Sequence, residues 1–304
     1  MPRIVSLLPS ATEIVAALDF REELLGRSHE CDYPDWVRSL PVLTKAAFSP
    51  EGASREIDRQ VQTLLERGLS LYRVDIEKLQ WLRPDFIVTQ SQCEVCAVSE
   101  GELERALSEW VGRPAHIVSL RGNTLKEVWA DIARVAAELE VPERGQSLVS
   151  DLQAKVERLS ARILPLRDRP TVACIEWLDP LMAAGNWIPE LVECAGGIPL
   201  FGKAGNHSPW LEWEALREAN PEVIVVFPCG FDIARTRQEF SLLQNHSSWQ
   251  GLAAVKNRRV YLADGNQYFN RPGPRLVDSI EILAELLHPE AFEPRTRDRA
   301  WAPA

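Results

Sequence analysis

Cys93 and Cys96 stand three residues apart in Ser91-Gln92-Cys93-Glu94-Val95-Cys96, a spacing that suits a metal knuckle or a redox pair. One such pair specifies neither. His29, Cys31 and Cys229 are further candidate ligands, because zinc takes thiolate and imidazole donors at about 2.0–2.3 Å. The alternative reading is of small thiols packed at strand ends. That reading suits Cys174 and Cys194, which sit among apolar residues, better than Cys31 and Cys93, which sit in polar loops. His29 and Glu30 have the residue types of an acid and a base, and equally those of a hydrogen-bonded loop. The sequence holds no G-x-S-x-G elbow, phosphate loop or H-E-x-x-H helix, so no familiar catalytic motif points to an enzyme. Trp177, Trp187, Trp210, Tyr268 and Phe269 fall near expected strand ends or in loops. They either cap a core or line a pocket for a large flat ligand. Arg271, between Asn270 and Pro272, is a candidate anchor for a carboxylate, amide or phosphate.

These residues need elements to hold them. Between Pro142 and Pro165 lie 22 residues without proline, in which Leu148, Leu152, Val156, Leu159 and Ile163 recur every three or four positions. The spacing predicts one helix over 142–165 with a single apolar stripe, about 33 Å long. The chain on either side of it is self-similar. Asp75-Ile-Glu77-Lys-Leu79 leads to Pro84-Asp85-Phe-Ile87-Val88, and Glu212-Trp-Glu214-Ala-Leu216 leads to Pro221-Glu222-Val-Ile224-Val225. Each segment reads as a short helix, a proline turn and a buried strand. Two α/β lobes joined by a helix, with a cleft between them, are the expectation, and an internal duplication is its simplest origin.

Further strands are expected at Arg3–Leu7, Phe86–Gln90, His116–Leu120, Thr171–Trp177, Val223–Phe227 and Arg259–Ala263. Helices are expected from a Ser10-Ala-Thr-Glu13 capping box, from Ser54 to a stop at Gly68, and near 101–111. Others are expected at Thr124–Leu139, Asn186–Ala195, 235–243, 249–255 and Pro274–Leu287. Alternating strands and helices argue for parallel sheets, outside whose carboxyl ends ligands collect. The expected organisation is an N-terminal lobe at 1–141, the helix at 142–165, a C-terminal lobe at 166–288 and a loose tail at 289–304. Ten more acidic than basic residues argue against a nucleic-acid partner. No stretch approaches the roughly 20 apolar residues that span a bilayer. The N-terminus lacks a secretory signal pattern, so a cytoplasmic location is expected, or a periplasmic or extracellular one for a trimmed mature chain. Six irregularly spaced cysteines read as reduced thiols rather than a disulfide framework.

Ile4-Val5-Ser6-Leu7-Leu8-Pro9-Ser10-Ala11-Thr12-Glu13, Gly26, Asp32-Tyr33-Pro34 and Leu79-x-x-Leu-x-Pro84-Asp85-x-Ile87 together resemble the cobalamin and iron-siderophore substrate-binding proteins of ABC importers. Gly196-Gly197, Pro221-Glu222-x-Ile224 and Arg271-x-x-Pro274-Arg275 continue the pattern, which covers roughly residues 3 to 287. The resemblance implies the class III periplasmic-binding-protein fold, an α/β protein of two Rossmann-like lobes with parallel sheets bridged by one long helix. It implies a ligand held between the lobes without catalysis. Asp32-Tyr33-Pro34, Ser208-Pro209-Trp210 and Tyr268-Phe269-x-Arg271 are most similar to the vitamin B12 binders. There an aromatic at the Trp210 position packs on the corrinoid, and an arginine at the Arg271 position reaches its amides. Glutamates at the Glu77 and Glu214 positions dock onto permease arginines. The bare physical reading of both is an acid in a first helical turn, favourable to the helix dipole. The chain departs from the pattern at Glu30, where a tyrosine is expected, at Gln90, where a tryptophan is expected, and in lacking an export signal. It resembles a signal-less branch called cobalamin-binding, marked by His29-Glu30-Cys31-Asp32-Tyr33-Pro34 and Gln92-Cys93-Glu94-Val95-Cys96. The implied ligand is cobalamin or a related metal chelate held by His29, Glu30, Cys31, Tyr33, Gln90, Cys93, Trp177, Trp187, Trp210, Cys229, Tyr268, Phe269 and Arg271. The alternative is a cytoplasmic metal- or thiol-dependent protein reusing the fold, with zinc or iron on His29, Cys31, Cys93, Cys96 and Cys229.

Overall fold

The computed structural model describes residues 1–67, 70–90, 115–166 and 168–304. The chain divides into two compact units, one of Met1–Gly52, Glu56–Gly122 and Lys126–Asp151, the other of Ala53–Arg55, Asn123–Leu125 and Leu152–Ala304. Cys93, Cys96, the stop at Gly68 and the helix expected near 101–111 lie outside the described residues.

The first unit holds a four-stranded sheet of β1 (Ile4–Ser6), β2 (Leu24–Gly26), β5 (Phe86–Gln90) and β6 (His116–Leu120) in the order β2-β1-β5-β6. Every pairing in it is parallel. Val5, Leu7, Leu79, Leu82 and Ile87 form its core with Leu43. Two three-residue strands that the sequence pattern does not announce, β3 (Thr44–Ala46) and β4 (Tyr72–Val74), pair antiparallel beside it. The helix α1 spans Pro9–Ala17, with Leu8 at its cap position and no side-chain cap. This corrects the capping box expected at Ser10. Proline sits at the first helical position, where no N–H is needed, and Ser10 falls inside the helix with its hydroxyl buried and without a partner among the described residues.

The second unit holds β7 (Thr171–Leu178), β8 (Leu181–Ala183), β9 (Ile198–Pro199), β10 (Val223–Val226), β11 (Val260–Ala263) and β12 (Trp301–Pro303). The path is β12-β11-β10-β7-β8, with β9 on β7. The sheet is mixed rather than wholly parallel, because β8 and β12 run antiparallel to β7 and β11. Ala173, Ile175, Ile224, Val226 and Leu262 pack with Phe240, Leu243 and Trp249 on one face.

The expected loose tail is corrected by β12. Trp301 is buried, and its Nε1 donates to Glu285 Oε2 at 2.8 Å. The Thr296 hydroxyl donates to the same oxygen at 2.6 Å. An apolar side chain and a buried acceptor therefore hold a segment whose charge and proline content read as unstructured. Ser54 is corrected in the same way. The helix α2 begins at Ser54 and runs to Glu66, but the Ser54 hydroxyl has no partner among the described residues. Within the second unit, which includes Ala53–Arg55, the Ser54 N–H donates to Glu239 Oε2 at 2.8 Å. A distant carboxylate supplies the acceptor that the sequence assigned to serine.

The sequence self-similarity is reproduced in backbone geometry. The helices α3 (Ile76–Leu82) and, further on, Trp213–Ala219 are each seven residues long. Each ends on a left-handed residue just before proline, Arg83 at φ 45°, ψ 59° and Asn220 at φ 43°, ψ 62°. In each the cap N–H returns to a buried leucine, Leu79 or Leu216. The acid after the proline repeats too: Asp85 accepts from the Arg3 N–H at 2.9 Å, and Glu222 from the Thr171 N–H at 2.8 Å. A β-carbon in the left-handed region costs about 1 kcal/mol, less for asparagine than for arginine. Arg83→Gly is therefore expected to raise unfolding stability by about 0.5–1 kcal/mol and Asn220→Gly by less, read by urea denaturation; a loss at Arg83 would contradict this.

The helix α4 covers Leu125–Glu138 and α5 covers Pro142–Ile163. On α5, Leu152, Leu159 and Ile163 are buried while Leu148 and Val156 are half-buried, so the stripe faces inward along its length. The division between units, at Asp151 and Leu152, falls inside this one continuous helix. No helix among the described residues is long and apolar enough to cross a membrane.

Candidate functional site

In the first unit, the loop after β2 and the end of β5 stand beyond the carboxyl edge of a parallel sheet, where side chains are free of strand pairing. His29 is half-buried, its ring 5.6 Å from that of Tyr72. Thr44 Oγ1 accepts from the His29 N–H at 3.1 Å and lies 2.8 Å from Nδ1. Burial, and then the Arg27 charge, hold the His29 pKa below the ordinary imidazole value, so the ring is neutral at pH 7. Glu30 receives the Tyr72 hydroxyl at 3.2 Å. Tyr33 is exposed. Gln90 is buried at the end of β5, in register with Leu120. Thr44 and Tyr72 were not singled out from the sequence; they come from β3 and β4, too short to leave a periodic signal.

Cys31 is corrected from an open loop thiol to a buried one. It is 1% exposed, and its sulfur accepts from the Thr12 hydroxyl at 2.9 Å, itself bonded to Ser6. Among the described residues, no group of three His, Cys, Asp or Glu side chains is placed to hold a metal. Cys93 and Cys96, the other thiols of the expected metal set, lie outside the described residues.

In the second unit, the site residues follow β7, β10 and β11, again at the carboxyl ends of parallel strands. The β7–β8 register shifts between Ile175 and Trp177, an irregularity that re-aims side chains. Trp177 packs 5.4 Å from Phe231, and its buried Nε1 has no hydrogen-bond partner among the described residues. Its neighbour Glu176 accepts from the Ser208 hydroxyl at 2.9 Å, while the Cys229 N–H reaches the Glu176 carbonyl at 3.2 Å. The Cys229 side chain is exposed.

Trp210 is 55% exposed. Its backbone is nonetheless fixed, because the Ala183 N–H donates to Pro209 and the Leu211 N–H to Leu181. A rigid backbone thus presents an open indole. Tyr268 is half-buried under the Arg275 guanidinium, 5.3 Å from its ring, and burial raises its pKa. Arg271 is buried, and its guanidinium donates to Asn266 at 3.2 Å. Both lie in or beside a π turn, Gly265–Phe269, capped by Asp264, which accepts from the Asn266 and Gln267 N–H groups.

Two aromatic assignments are corrected. Phe269 is fully buried and stacks on Phe227 at 4.4 Å. Trp187 is 6% exposed and donates Nε1 to the Phe269 carbonyl at 2.8 Å. Both are core residues that anchor the turn carrying Tyr268. Glu77 and Glu214 occupy the second position of their seven-residue helices, and both are exposed. Glu214 also accepts from Arg217 Nε at 3.0 Å.

Known proteins are similar to this chain in sequence and in fold. A vitamin B12-binding protein of Vibrio cholerae is 25% identical over 94% of this chain and 88% of its own length. A periplasmic haem-binding protein of Pseudomonas aeruginosa superposes with a TM-score of 0.71 at 20% identity, covering 96% of this chain and 95% of that one. A possible iron-binding, periplasmic solute-binding protein of Staphylococcus epidermidis superposes at 0.72 with 18% identity, covering 94% and 98%. These two structures carry the same bilobal α/β fold. The periplasmic binding protein family matches residues 4–266, and the chain belongs to that family, a non-catalytic class of binding proteins.

Proposed function

We propose that this protein binds a corrinoid, or a related metal chelate, and delivers it to an ABC importer. The observation that carries the reading is Trp210, an open indole on a fixed backbone, in a chain with a full-length relative named for vitamin B12. A large flat ligand needs such an aromatic face and a few polar anchors. Tyr33, Gln90, Trp177, Tyr268 and Arg271 are the proposed companions.

Equilibrium dialysis against aquocobalamin and, separately, ferric haem tests the reading. Retention of about one corrinoid per chain at micromolar concentration is expected. Retention of neither chelate would overturn the proposal, and retention of haem alone would replace corrinoid by porphyrin.

Glu77 and Glu214 are the proposed contacts to the permease. Both are exposed, so replacing either leaves the fold intact. Glu77→Arg together with Glu214→Arg is expected to cut delivery to a reconstituted importer at least tenfold, read as ligand-stimulated ATP hydrolysis, by setting like charges against each other. Ligand affinity should stay within twofold. Undiminished stimulation would remove the docking role.

A further inference from the structure

We propose that Thr44 fixes His29 as the tautomer protonated on Nε2, so that the loop offers a hydrogen-bond donor to an oxygen or nitrogen acceptor of the ligand, not a lone pair to its metal. The inference rests on the preceding reading only for a ligand beside the loop that carries His29 and Tyr33; the ring state itself follows from the geometry of the first unit.

Thr44 Oγ1 stands within hydrogen-bond reach of two nitrogens of one residue. The His29 backbone N–H donates to it at 3.1 Å, and Nδ1 is 2.8 Å away. The backbone group has no choice of role. The hydroxyl has one proton, and Thr44 is buried. If Nδ1 carried the ring proton, Oγ1 would accept twice and its own proton would be left without an acceptor among the described residues, a costly state for a buried group. If Oγ1 donates to Nδ1, all three groups are satisfied. The hydroxyl then accepts from the backbone and donates to the ring, and the ring proton stands on Nε2. Burial and the Arg27 charge keep the ring neutral, which is the state in which a tautomer is defined. A metal-binding histidine has the reverse arrangement, with its second nitrogen donating to a carbonyl or carboxylate. Here the partner is a hydroxyl already committed as an acceptor.

The choice changes the ligand chemistry of the loop. A neutral Nε2–H has no lone pair for cobalt or iron, so His29 does not displace water from the metal. It suits a carboxylate or amide oxygen at the chelate's edge. Thr44 is a positioning residue, acting through His29.

Nitrogen-15 NMR of the ligand-free protein reads the state directly, because the ring nitrogen shifts and their two-bond correlations to the carbon-bound ring protons distinguish the two tautomers, which coordinates alone do not. The His29→Gln variant identifies the signal among the five histidines. The Nε2–H form is expected in at least about tenfold excess. Thr44→Ser should keep that excess, and Thr44→Val should abolish it. An Nδ1–H majority, comparable amounts of both forms, or an unchanged excess in folded Thr44→Val would overturn the proposal. So would an imidazole-type shift of the visible bands of added aquocobalamin that disappears in His29→Gln. Because the ring is read without ligand, failure to bind a corrinoid would refute the function proposed above and leave this test intact.

Discussion

Trp210→Ala is expected to weaken aquocobalamin binding by roughly 30- to 100-fold, with unfolding stability within about 0.5 kcal/mol of the parent. The expectation follows from the split between ring and backbone. The indole is 55% exposed, so the folded chain gains little from it. Its backbone is pinned by bonds on both sides, so an alanine there leaves the Met182–Trp210 bridge in place. A rigid exposed aromatic that becomes buried only against a ligand has the features of a binding hot spot, for which truncation costs about 2–3 kcal/mol. Dialysis supplies the affinity, and urea denaturation supplies the stability. Unchanged affinity would remove Trp210 from the site. A large loss of stability would mean that the ring supports the fold after all. Trp210→Phe should recover much of the binding, since a flat ring remains.

Trp301→Ala is expected to destabilise the second unit by about 3–5 kcal/mol, with a lowered urea midpoint. Two losses combine. A buried indole leaves a cavity against Tyr261, whose ring centre lies 5.4 Å away. Glu285, itself buried, also loses one of its donors. A buried acceptor stripped of a donor costs more than the net value of the bond it made. Removal of residues 289–304 should be at least as damaging, because it also exposes the edge of β11. If Trp301→Ala unfolds at the parent's urea concentration, the C-terminal strand is an ornament rather than a support.

Fold class was legible because it depends on periodicity. The Leu152–Ile163 stripe, the His116–Leu120 run and the paired Leu–Pro–Ile spacings all encode local geometry, and each appears as an element. The caps were read less well. Ser10 and Ser54 have the residue type of a cap, yet Leu8 stands at the first cap position and Glu239 supplies the acceptor at the second. Capping is settled by which acceptor lies nearest in space, and for Ser54 that acceptor is 185 residues away. The aromatic candidates divided for the same reason. Trp187, Trp210 and Phe269 look alike as loop aromatics, but only Trp210 remains open.

The sequence by itself determined the two α/β halves, the long helix through the unit boundary, the repeated acidic helix before a proline strand, and the set of residues at strand ends. Those follow from apolar spacing and from proline, which act over a few residues. Only the tertiary structure decided that Cys31 is buried beneath Thr12, that Phe269 and Trp187 are core, that the tail is an edge strand, and that Thr44 faces His29. Burial and hydrogen-bond partnership are properties of chain segments brought together from afar, and no local pattern carries them.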